Sequence, residues 1–430
     1  MVLTDPKGEL IERSKKYLES KGYNVIRLDF RSPRTGNHWN ILNPVIQAMT
    51  KGQQDTAIEA ALDITHALVY QRQHNGDPIW ELGEKSTIAG LILALTKECD
   101  DKRSQHMYSV TMMLANMGIY TDDADCLLNE YISSLEPLHP SRAAFGVALT
   151  APAKTRSSFY AGAMAKLQIF TDPALADMTS YQDHDLAYIA QRPTAVFLVI
   201  PDEKSTRNVL ALLYINQVYM ALVDEAIRCG GRLQNRVHFL LDEFGNMPAI
   251  PDMDKKITVA GGRGMKFLLA IQDLAQLDEL YGKRGKTITG NCQSWLYLST
   301  ADPATAKTVS EKTGRYTIAA RSVNYNYSNT SKSEGGGGGE SLTGRPLLQP
   351  DEVARWPRGY CLLLQARQNP AKLPLPDLSK WPADKELIKT DEYQTPRLPR
   401  KIPFWLPDFA CEPEDQETEE YEEIKPFSLR

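Results

Sequence analysis

Short apolar runs alternate with amphipathic segments along this chain, and the alternation predicts a mainly parallel α/β sheet. Val2–Thr4 and Asn24–Asp29 flank a charged, helix-like segment at residues 8–21, which indicates a β-α-β start. Further strands are predicted at Ala195–Pro201, Val237–Phe244, Met265–Gln272, Asn291–Ser299 and Tyr360–Gln365. Helix-like segments at residues 207–228 and 304–313 separate several of these runs. The pattern therefore favours helices packed against one continuous sheet.

A long helical stretch interrupts the strands. Apolar residues recur at helical spacing in four segments, Asp55–Gln71, Ser86–Glu98, Met107–Met117 and Asp125–Leu135. We therefore expect four regions: the first part of the sheet domain (1–52), an all-α insertion (53–170), the remainder of the sheet domain (171–385), and an extended arm with an acidic, disordered tail (386–430).

The most informative stretch is Val237–Phe244, where an apolar strand delivers two adjacent carboxylates, Asp242 and Glu243, to its end. This is a Walker B arrangement, in which one carboxylate holds Mg²⁺ and its neighbour orients or deprotonates the attacking water. A solvated strand end is the alternative interpretation. The next strand ends in Gln272, whose amide could sense a γ-phosphate or position water.

Several other polar residues are candidates for the same site. Arg263 lies in Gly261–Gly264, interpreted as a flexible turn, and is either an arginine finger for a neighbouring subunit or a surface cation. Asp5 and Lys7 end the first strand and either line the nucleotide cleft or form a simple turn. Three cations flank the Ala195 strand and either contact DNA phosphates or form a solvated face: Arg192, Lys204 and Arg207.

Composition changes the picture in two places. The net charge of −5 is concentrated in the tail, because residues 1–411 carry 47 basic and 46 acidic side chains. The near-neutral body therefore neither favours nor excludes DNA binding. The six cysteines are scattered without a Cys-x-x-Cys pair, which indicates reduced thiols and argues against a zinc site.

Several blocks of this sequence, in this order and spacing, resemble the TraG-like coupling proteins of conjugative type IV secretion systems, relatives of the FtsK and HerA pumping ATPases. The blocks are Thr4-Asp5-Pro6-Lys7-Gly8-Glu9, Leu240–Phe244, Gly262-Arg263-Gly264 with Gln272, Gly290-Asn291-Cys292 and Asp302-Pro303-Ala304-Thr305-Ala306. Each block is short, and the resemblance extends from residue 2 to about residue 370.

The resemblance implies a RecA-like P-loop NTPase core, with ATP and Mg²⁺ as cofactors. It implies Asp242 as the Mg²⁺ ligand, Glu243 for water activation, Gln272 for γ-phosphate sensing and Arg263 acting on the adjacent subunit. The implied partners are relaxase-bound single-stranded DNA, the secretion channel and further copies of the chain in a ring, commonly a hexamer. The implied location is cytoplasmic, with the intact family member anchored at the inner face of the cell membrane.

One departure from the family concerns the phosphate-binding loop Gly-x-x-x-x-Gly-Lys-Ser/Thr. Gly285-Lys286-Thr287 has the required ending, but Leu280 stands where the first glycine should be, so this segment is interpreted as a basic surface turn. The run Gly335–Gly339 has no Lys-Ser/Thr after it. The family's membrane-spanning segment is also missing from the sequence. A fragment, a split reading frame or a mis-assigned start would explain both absences, and we expect this chain alone to hydrolyse ATP poorly.

Two alternative functions remain open at the level of sequence. The chain could be a non-hydrolysing module that binds DNA or a relaxase and keeps the fold, or a DNA-translocating pump outside conjugation.

Overall fold

In the computed structural model, residues 1–70, 77–120, 126–201, 205–325, 336–389 and 395–408 are described. Five strands form a parallel sheet in the order β2-β3-β1-β4-β5. The predicted α/β core is confirmed. The strands are β1 (Val2–Asp5), β2 (Asn24–Asp29), β3 (Thr194–Val199), β4 (Val237–Leu241) and β5 (Met265–Leu269).

Ten α-helices lie in the described chain between β2 and β3, after α1 (Glu9–Ser20) has connected β1 to β2, and α3 to α9 of them fall within the predicted insertion at 53–170. They share one large apolar core with the sheet. Their bounds are α2 (Asn43–Thr50), α3 (Gln54–Val69), α4 (Ile79–Glu98), α5 (Met107–Met117), α6 (Leu127–Ser134), α7 (Pro140–Ala144), α8 (Gly146–Thr150), α9 (Ala153–Leu167), α10 (Pro173–Met178) and α11 (Tyr188–Gln191).

The chain after β3 contributes six more α-helices in its described part, of which α16 and α17 pack against a second sheet. They are α12 (Asn208–Arg228), α13 (Met253–Arg263), α14 (Ala275–Tyr281), α15 (Arg284–Asn291), α16 (Pro303–Thr313) and α17 (Pro350–Ala354). In the described part of the chain, only α12 is long and apolar enough to cross a membrane, and 72% of its apolar window is buried. Burial of this extent is what the core helix of a packed domain shows.

The predicted strand at Asn291–Ser299 does not join the parallel sheet. It is shortened to β6 (Ser294–Tyr297), whereas β7 (Arg315–Tyr325) and β8 (Gly336–Pro346) form a separate antiparallel hairpin. β6 pairs antiparallel with β9 (Tyr360–Gln365), which also pairs with β10 (Ala371–Pro374). This second sheet has its own apolar cluster, in which Tyr297 and Leu362 pack with residues of α16 and α17, and that packing draws β6 away from the parallel sheet.

Two glycine-containing segments also differ from expectation. Gly261–Arg263 is the last turn of α13, and Gly264 ends it at φ 91°. A glycine in this left-handed conformation is a common helix terminator, so the segment is a defined helix end. Gly285–Thr287, predicted as a surface turn, lies within α15, which begins at Arg284. Gly285 and Ile288 of this helix are buried, so the segment packs against the rest of the protein.

The two faces of the parallel sheet are covered unequally. One face, which includes Phe239 and Phe267, packs into the main core. On the other face α1 covers the central strands, whereas Leu268 of β5 is 57% exposed and His238 of β4 is exposed. Parallel sheets are normally covered on both faces, so among the described residues the uncovered face at β4 and β5 and the unpaired outer side of β5 form an open surface.

Residues 395–408 of the predicted arm lie across the helical segment as an ordered strap. Arg397 donates to the carbonyl of Pro33, and the Arg400 guanidinium pairs with Asp177. Further along, the amide of Trp405 donates to Ser109 Oγ. The predicted acidic tail from Glu412 lies outside the described residues.

The imidazole of His106 contacts the strap. Its Nδ1 accepts a hydrogen bond from the amide of Ser109, and its Nε2 lies 3.0 Å from the carbonyl oxygen of Pro403. Burial lowers the pKa of His106 to about 4. Protonation at Nδ1 would break the first of these bonds in a site without exposed surface.

We predict that His106 makes the protein acid-sensitive. A histidine with a depressed folded-state pKa contributes stability that is present above about pH 6.5 and is lost as the pH falls towards 4, a difference of roughly 3 kcal/mol. His106→Gln should therefore flatten the decline in unfolding free energy across this window. Urea unfolding of both proteins from pH 7 to pH 4 measures it, and an unchanged slope would contradict the assignment.

Candidate functional site

Strand β4, which carries the predicted Walker B pair, lies between β1 and β5, and hydrogen bonds join the three strand ends. Thr4 Oγ1 donates to the carbonyl of Asp242 at 2.8 Å. On the other side, the amide of Phe244 donates to Ala270 O at 2.9 Å, and the amide of Ala270 donates to Leu241 O at 2.9 Å. The carboxyl ends of β1, β4 and β5 therefore converge, as ligand sites in open α/β sheets require.

Asp242 is exposed at this edge and its carboxylate is little used by the fold. Its Oδ1 accepts a 3.1 Å hydrogen bond from the amide of Glu243. Within the described residues, no three His, Cys, Asp or Glu side chains converge. One outward carboxylate fits Mg²⁺ nevertheless, because Mg²⁺ commonly takes one or two carboxylates and fills its octahedron with water and phosphate oxygens.

Glu243 has a left-handed backbone, with φ 49° and ψ 40°. This conformation is unfavourable for a residue with a Cβ atom, and such residues cluster at functional sites. The half-buried side chain accepts a 3.3 Å hydrogen bond from Asn246 Nδ2, and the amide of Asn246 donates to the carbonyl of Glu243. The turn therefore directs the Glu243 side chain away from that of Asp242 and fixes the position of its backbone.

Gln272 lies three residues beyond β5, on the loop beside the acidic pair. Its side chain is exposed, and its backbone amide donates to Gln276 Oε1 at 3.1 Å. Since Ala270 is hydrogen-bonded to both Leu241 and Phe244, the loop starts directly beside the turn at residues 242–246, here called the Walker B turn. The structure thus brings Asp242, Glu243 and Gln272 to one edge.

Asp5 and Lys7 reach the same edge with different environments. The Asp5 carboxylate is buried and accepts a 2.9 Å hydrogen bond from the amide of Ile11 in the first turn of α1. Burial raises the pKa of Asp5, and backbone amides of Ile11, Leu10 and Gly8 oppose that rise. Lys7 is exposed. Asp5 therefore stabilises the start of α1, while Lys7 is accessible to an anion.

Arg263 lies at the amino-terminal ends of the strands, two residues before β5. The strand places it roughly 15–20 Å from the carboxyl ends of the strands, beyond the reach of its side chain. Burial raises the pKa of Tyr219, and the nearby Arg263 guanidinium opposes that rise. Within one chain, Arg263 cannot contact the Asp242 site.

Of the three cations suggested as DNA contacts, Arg192 and Arg207 are described, and they lie at different parts of the fold. Arg207 is committed to internal contacts, since it donates to the carbonyl of Phe30 at 2.7 Å and pairs with Asp172 at 2.7 Å. The Arg192 guanidinium stacks over Tyr188 before β3, at the amino end of the sheet. Lys204 lies outside the described residues.

Sequence reasoning missed four residues that build this site. Thr4, Gly245, Asn246 and Gln276 carry the contacts between the strand ends and the two loops. Thr4 and Gly245 stand directly beside recognised positions, at Asp5 and Phe244, and the Gln-x-x-x-Gln spacing from Gln272 to Gln276 places the second amide one helical turn later. Their partners are set by tertiary contacts that no local pattern shows.

The sequence profile of the family described as "Type IV secretory system Conjugative DNA transfer" matches residues 1–374. The chain is 26% identical over 376 residues to the conjugal transfer protein TraG of Escherichia coli, covering 83% of this chain and 57% of that protein. It is also 26% identical over 247 residues to the protein VirD4 of Agrobacterium fabrum, covering 56% and 35%. The chain thus spans a little more than half the length of TraG and about a third of the length of VirD4.

Solved structures of the plasmid coupling protein TrwB have a similar fold. The TrwB complex with a non-hydrolysable ATP analogue superposes with a TM-score of 0.62 at 14% identity, covering 93% of this chain and 81% of TrwB. The complex with ADP and Mg²⁺ gives a TM-score of 0.59 at 14% identity, covering 93% and 80%. At this identity the likeness concerns the fold, and the RecA-like α/β architecture is confirmed.

We predict that Glu243→Gly yields a more stable protein than Glu243→Ala. Both substitutions remove the carboxylate and its bond to Asn246, but only glycine adopts φ 49° without a Cβ penalty, which is worth about 1 kcal/mol. Urea unfolding of the two variants measures the difference. Equal stability would show that the left-handed turn at residue 243 is not maintained in solution.

Proposed function

Because this chain belongs to the type IV secretory system conjugative DNA transfer family, we propose that it is the nucleotide-hydrolysing part of a coupling protein that moves DNA to a secretion channel. The observation that carries the proposal is the convergence of Asp242, Glu243 and Gln272 at the carboxyl edge of β4 and β5. Hydrolysis of a nucleoside triphosphate needs this combination of a metal carboxylate, a second carboxylate for water and a polar group near the γ-phosphate.

The roles follow from chemistry and position. Asp242 would hold Mg²⁺, and the ion would supply positive charge to stabilise the phosphates. Glu243 would orient and deprotonate the attacking water, and Gln272 would contact the γ-phosphate. Lys7 and, through the start of α1, Asp5 would border the cleft. Arg263 would act on the nucleotide of an adjacent subunit, since the length of β5 separates it from the site in its own chain.

The open surface beside the site could accept a segment that carries a phosphate-binding loop, a motif that does not occur in these 430 residues. A phosphate-binding loop is a glycine-rich turn between a strand and a helix, and its backbone N–H groups surround the phosphates. The outer edge of β5 offers hydrogen bonds to a parallel strand, and the bare face at Leu268 offers apolar surface to a helix. We propose that a loop-bearing segment outside these 430 residues binds there and completes the site.

The proposed setting is the family's. The coupling protein would assemble as a ring, commonly a hexamer, on the cytoplasmic face of the membrane, with the intact protein anchored by a separate segment. Its cargo would be single-stranded DNA bound to a relaxase, and its partners would include components of the type IV secretion channel. The ring would also bring Arg263 of one subunit to the Asp242 site of the next.

We predict that the purified 430-residue chain releases phosphate from ATP slowly and that a polypeptide carrying the strand, phosphate loop and following helix restores turnover. Without the loop, nothing in the sequence matches the amide cradle that would hold the triphosphate over Mg²⁺. Phosphate release, with and without the polypeptide, measures this. Rapid turnover by the chain alone would contradict the need for the loop, and Glu243→Gln should abolish the restored activity.

A surface variant tests where that polypeptide binds. Leu268→Asp places a charge on the bare face and should prevent restoration, whereas Leu342→Asp on the β7–β8 hairpin should not. Both leucines are largely exposed, at 57% and 78%, so neither substitution should unfold the chain. Full restoration with Leu268→Asp would exclude this face as the binding surface.

We predict that Arg263→Ala and Glu243→Gln are each inactive in the restored assembly but regain activity when mixed. In a mixed ring, an intact Arg263 contributed by the Glu243→Gln subunit can face an intact Glu243 contributed by the Arg263→Ala subunit. Phosphate release from mixtures at varying ratios measures the recovery, with each pure variant as its control. A mixture as inactive as its components would contradict action between subunits.

A further inference from the structure

A line of hydrogen bonds connects the Walker B turn to the loop after β5. Asn246 Nδ2 donates to Glu243 Oε2 at 3.3 Å, and Gln276 Nε2 donates to Asn246 Oδ1 at 3.2 Å. Gln276 Oε1 in turn accepts the backbone amide of Gln272 at 3.1 Å. The line therefore runs from one candidate catalytic side chain to the loop that carries the other.

The direction of these bonds is fixed at both ends. An ionised carboxylate such as that of Glu243 can only accept, and the backbone N–H of Gln272 can only donate. Each side-chain amide between them has one donor group and one acceptor group facing its neighbours. Flipping either Asn246 or Gln276 alone would set donor against donor or acceptor against acceptor, so the two amides are ordered as a pair.

Gly245 provides the space for this arrangement. A Cβ atom at residue 245 would lie 2.2 Å from Gln276 Oε1 and 2.8 Å from Gln276 Cβ, so any side chain there would displace the Gln276 amide. The backbone of Gln276 is held independently, because its amide donates to Asp273 Oδ1 at 3.0 Å. The side chain thus extends from a fixed helix start.

The two loops are also joined by the framework around them, in which Phe244 stacks on Tyr281 of α14. Phe244 and Ala270 are tied to the neighbouring strand ends by backbone hydrogen bonds. Beyond Gln272, the amide of Leu274 donates to Thr305 Oγ1, which itself donates to Asp302 Oδ2. The segment around Gln272 is therefore held at both ends, and the two amides connect it by side-chain hydrogen bonds to the Glu243 carboxylate.

Folding alone gives little reason for such a line. Its members are exposed or half-buried, and hydrogen bonds between solvated side chains contribute little net stability while ordering flexible groups. From this geometry we propose that Asn246 and Gln276 are positioning residues that couple the Gln272 loop to the orientation of the Glu243 carboxylate. The inference rests on the proposed function, in which Gln272 responds to the γ-phosphate and Glu243 orients water.

The structural part of the test needs no turnover. The Gln272 backbone amide resonance in the ¹⁵N-labelled chain reports its bond to Gln276. Asn246→Ala, which touches neither Gln272 nor the backbone of Gln276, should shift that resonance and speed its hydrogen exchange. Gly245→Ala should do the same by displacing Gln276. Asn291→Ala removes an equivalent amide, bonded to Thr258 on α13, and should leave the resonance unchanged.

Gln276→Glu separates the two halves of the line. It keeps an acceptor for the Gln272 amide but replaces the donor that faces Asn246 by a carboxylate oxygen. The Gln272 resonance should therefore move less than in Gln276→Ala, while the side-chain amide resonances of Asn246 should move as much. Identical responses in Gln276→Glu and Gln276→Ala would overturn the proposed direction of the bonds, as would an unmoved Gln272 resonance in Asn246→Ala.

The functional part uses the ATPase assembly completed by a phosphate loop. Asn246→Ala should lower kcat about tenfold or more, because a misplaced water-orienting group affects the chemical step, with little change in the KM for ATP. Asn291→Ala should leave both constants unchanged. An unchanged kcat in Asn246→Ala, with a shifted Gln272 resonance, would overturn the positioning role. Absence of hydrolysis in the unsubstituted assembly would instead reject the proposed function, while the resonances would still decide whether the line exists.

Discussion

The parallel register of β1, β4 and β5 is the constraint on which the site depends. It places Leu3 beside Leu240 and Leu241 beside Leu269, so the chain leaves all three strands at the same edge. A shift of one residue would turn Phe239 out of the core and move the acidic pair off the edge. Burial of the strand side chains thus fixes where Asp242 and Glu243 emerge.

Past the strand ends, the protein uses its polar groups for different purposes at neighbouring positions. Asp5 is buried and stabilises the start of α1, whereas Asp242 remains outward and little used by the fold. Glu243 occupies an unfavourable left-handed conformation that the turn to Asn246 and the bond from Phe244 to Ala270 hold in place. Packing in the sheet supports a local arrangement that is costly by itself, which is typical of functional sites.

The sequence was sufficient to predict most of this fold, because its buried strands are apolar runs of clear length. Asn24–Asp29 and Tyr360–Gln365 were located to the residue. Local patterns failed where tertiary pairing decides. Ser294–Tyr297 pairs with a strand more than sixty residues later, and the Gly-rich end of α13 looks like a turn until Gly264 is seen as its terminator. The hydrogen-bond partners of Asn246 and Gln276 could not be predicted either, because tertiary contacts set them.

The central claim is that a metal–nucleotide binds at the carboxyl edge of β4 and β5. Replacing Mg²⁺ by paramagnetic Mn²⁺ in the ATP-bound assembly and recording the amide resonances of this chain tests it most directly. The account predicts strong broadening at Asp242, Glu243 and Gln272, with sharp signals from the His106 region and from α3. Sharp signals at the acidic pair, or broadening centred on another part of the fold, would contradict it.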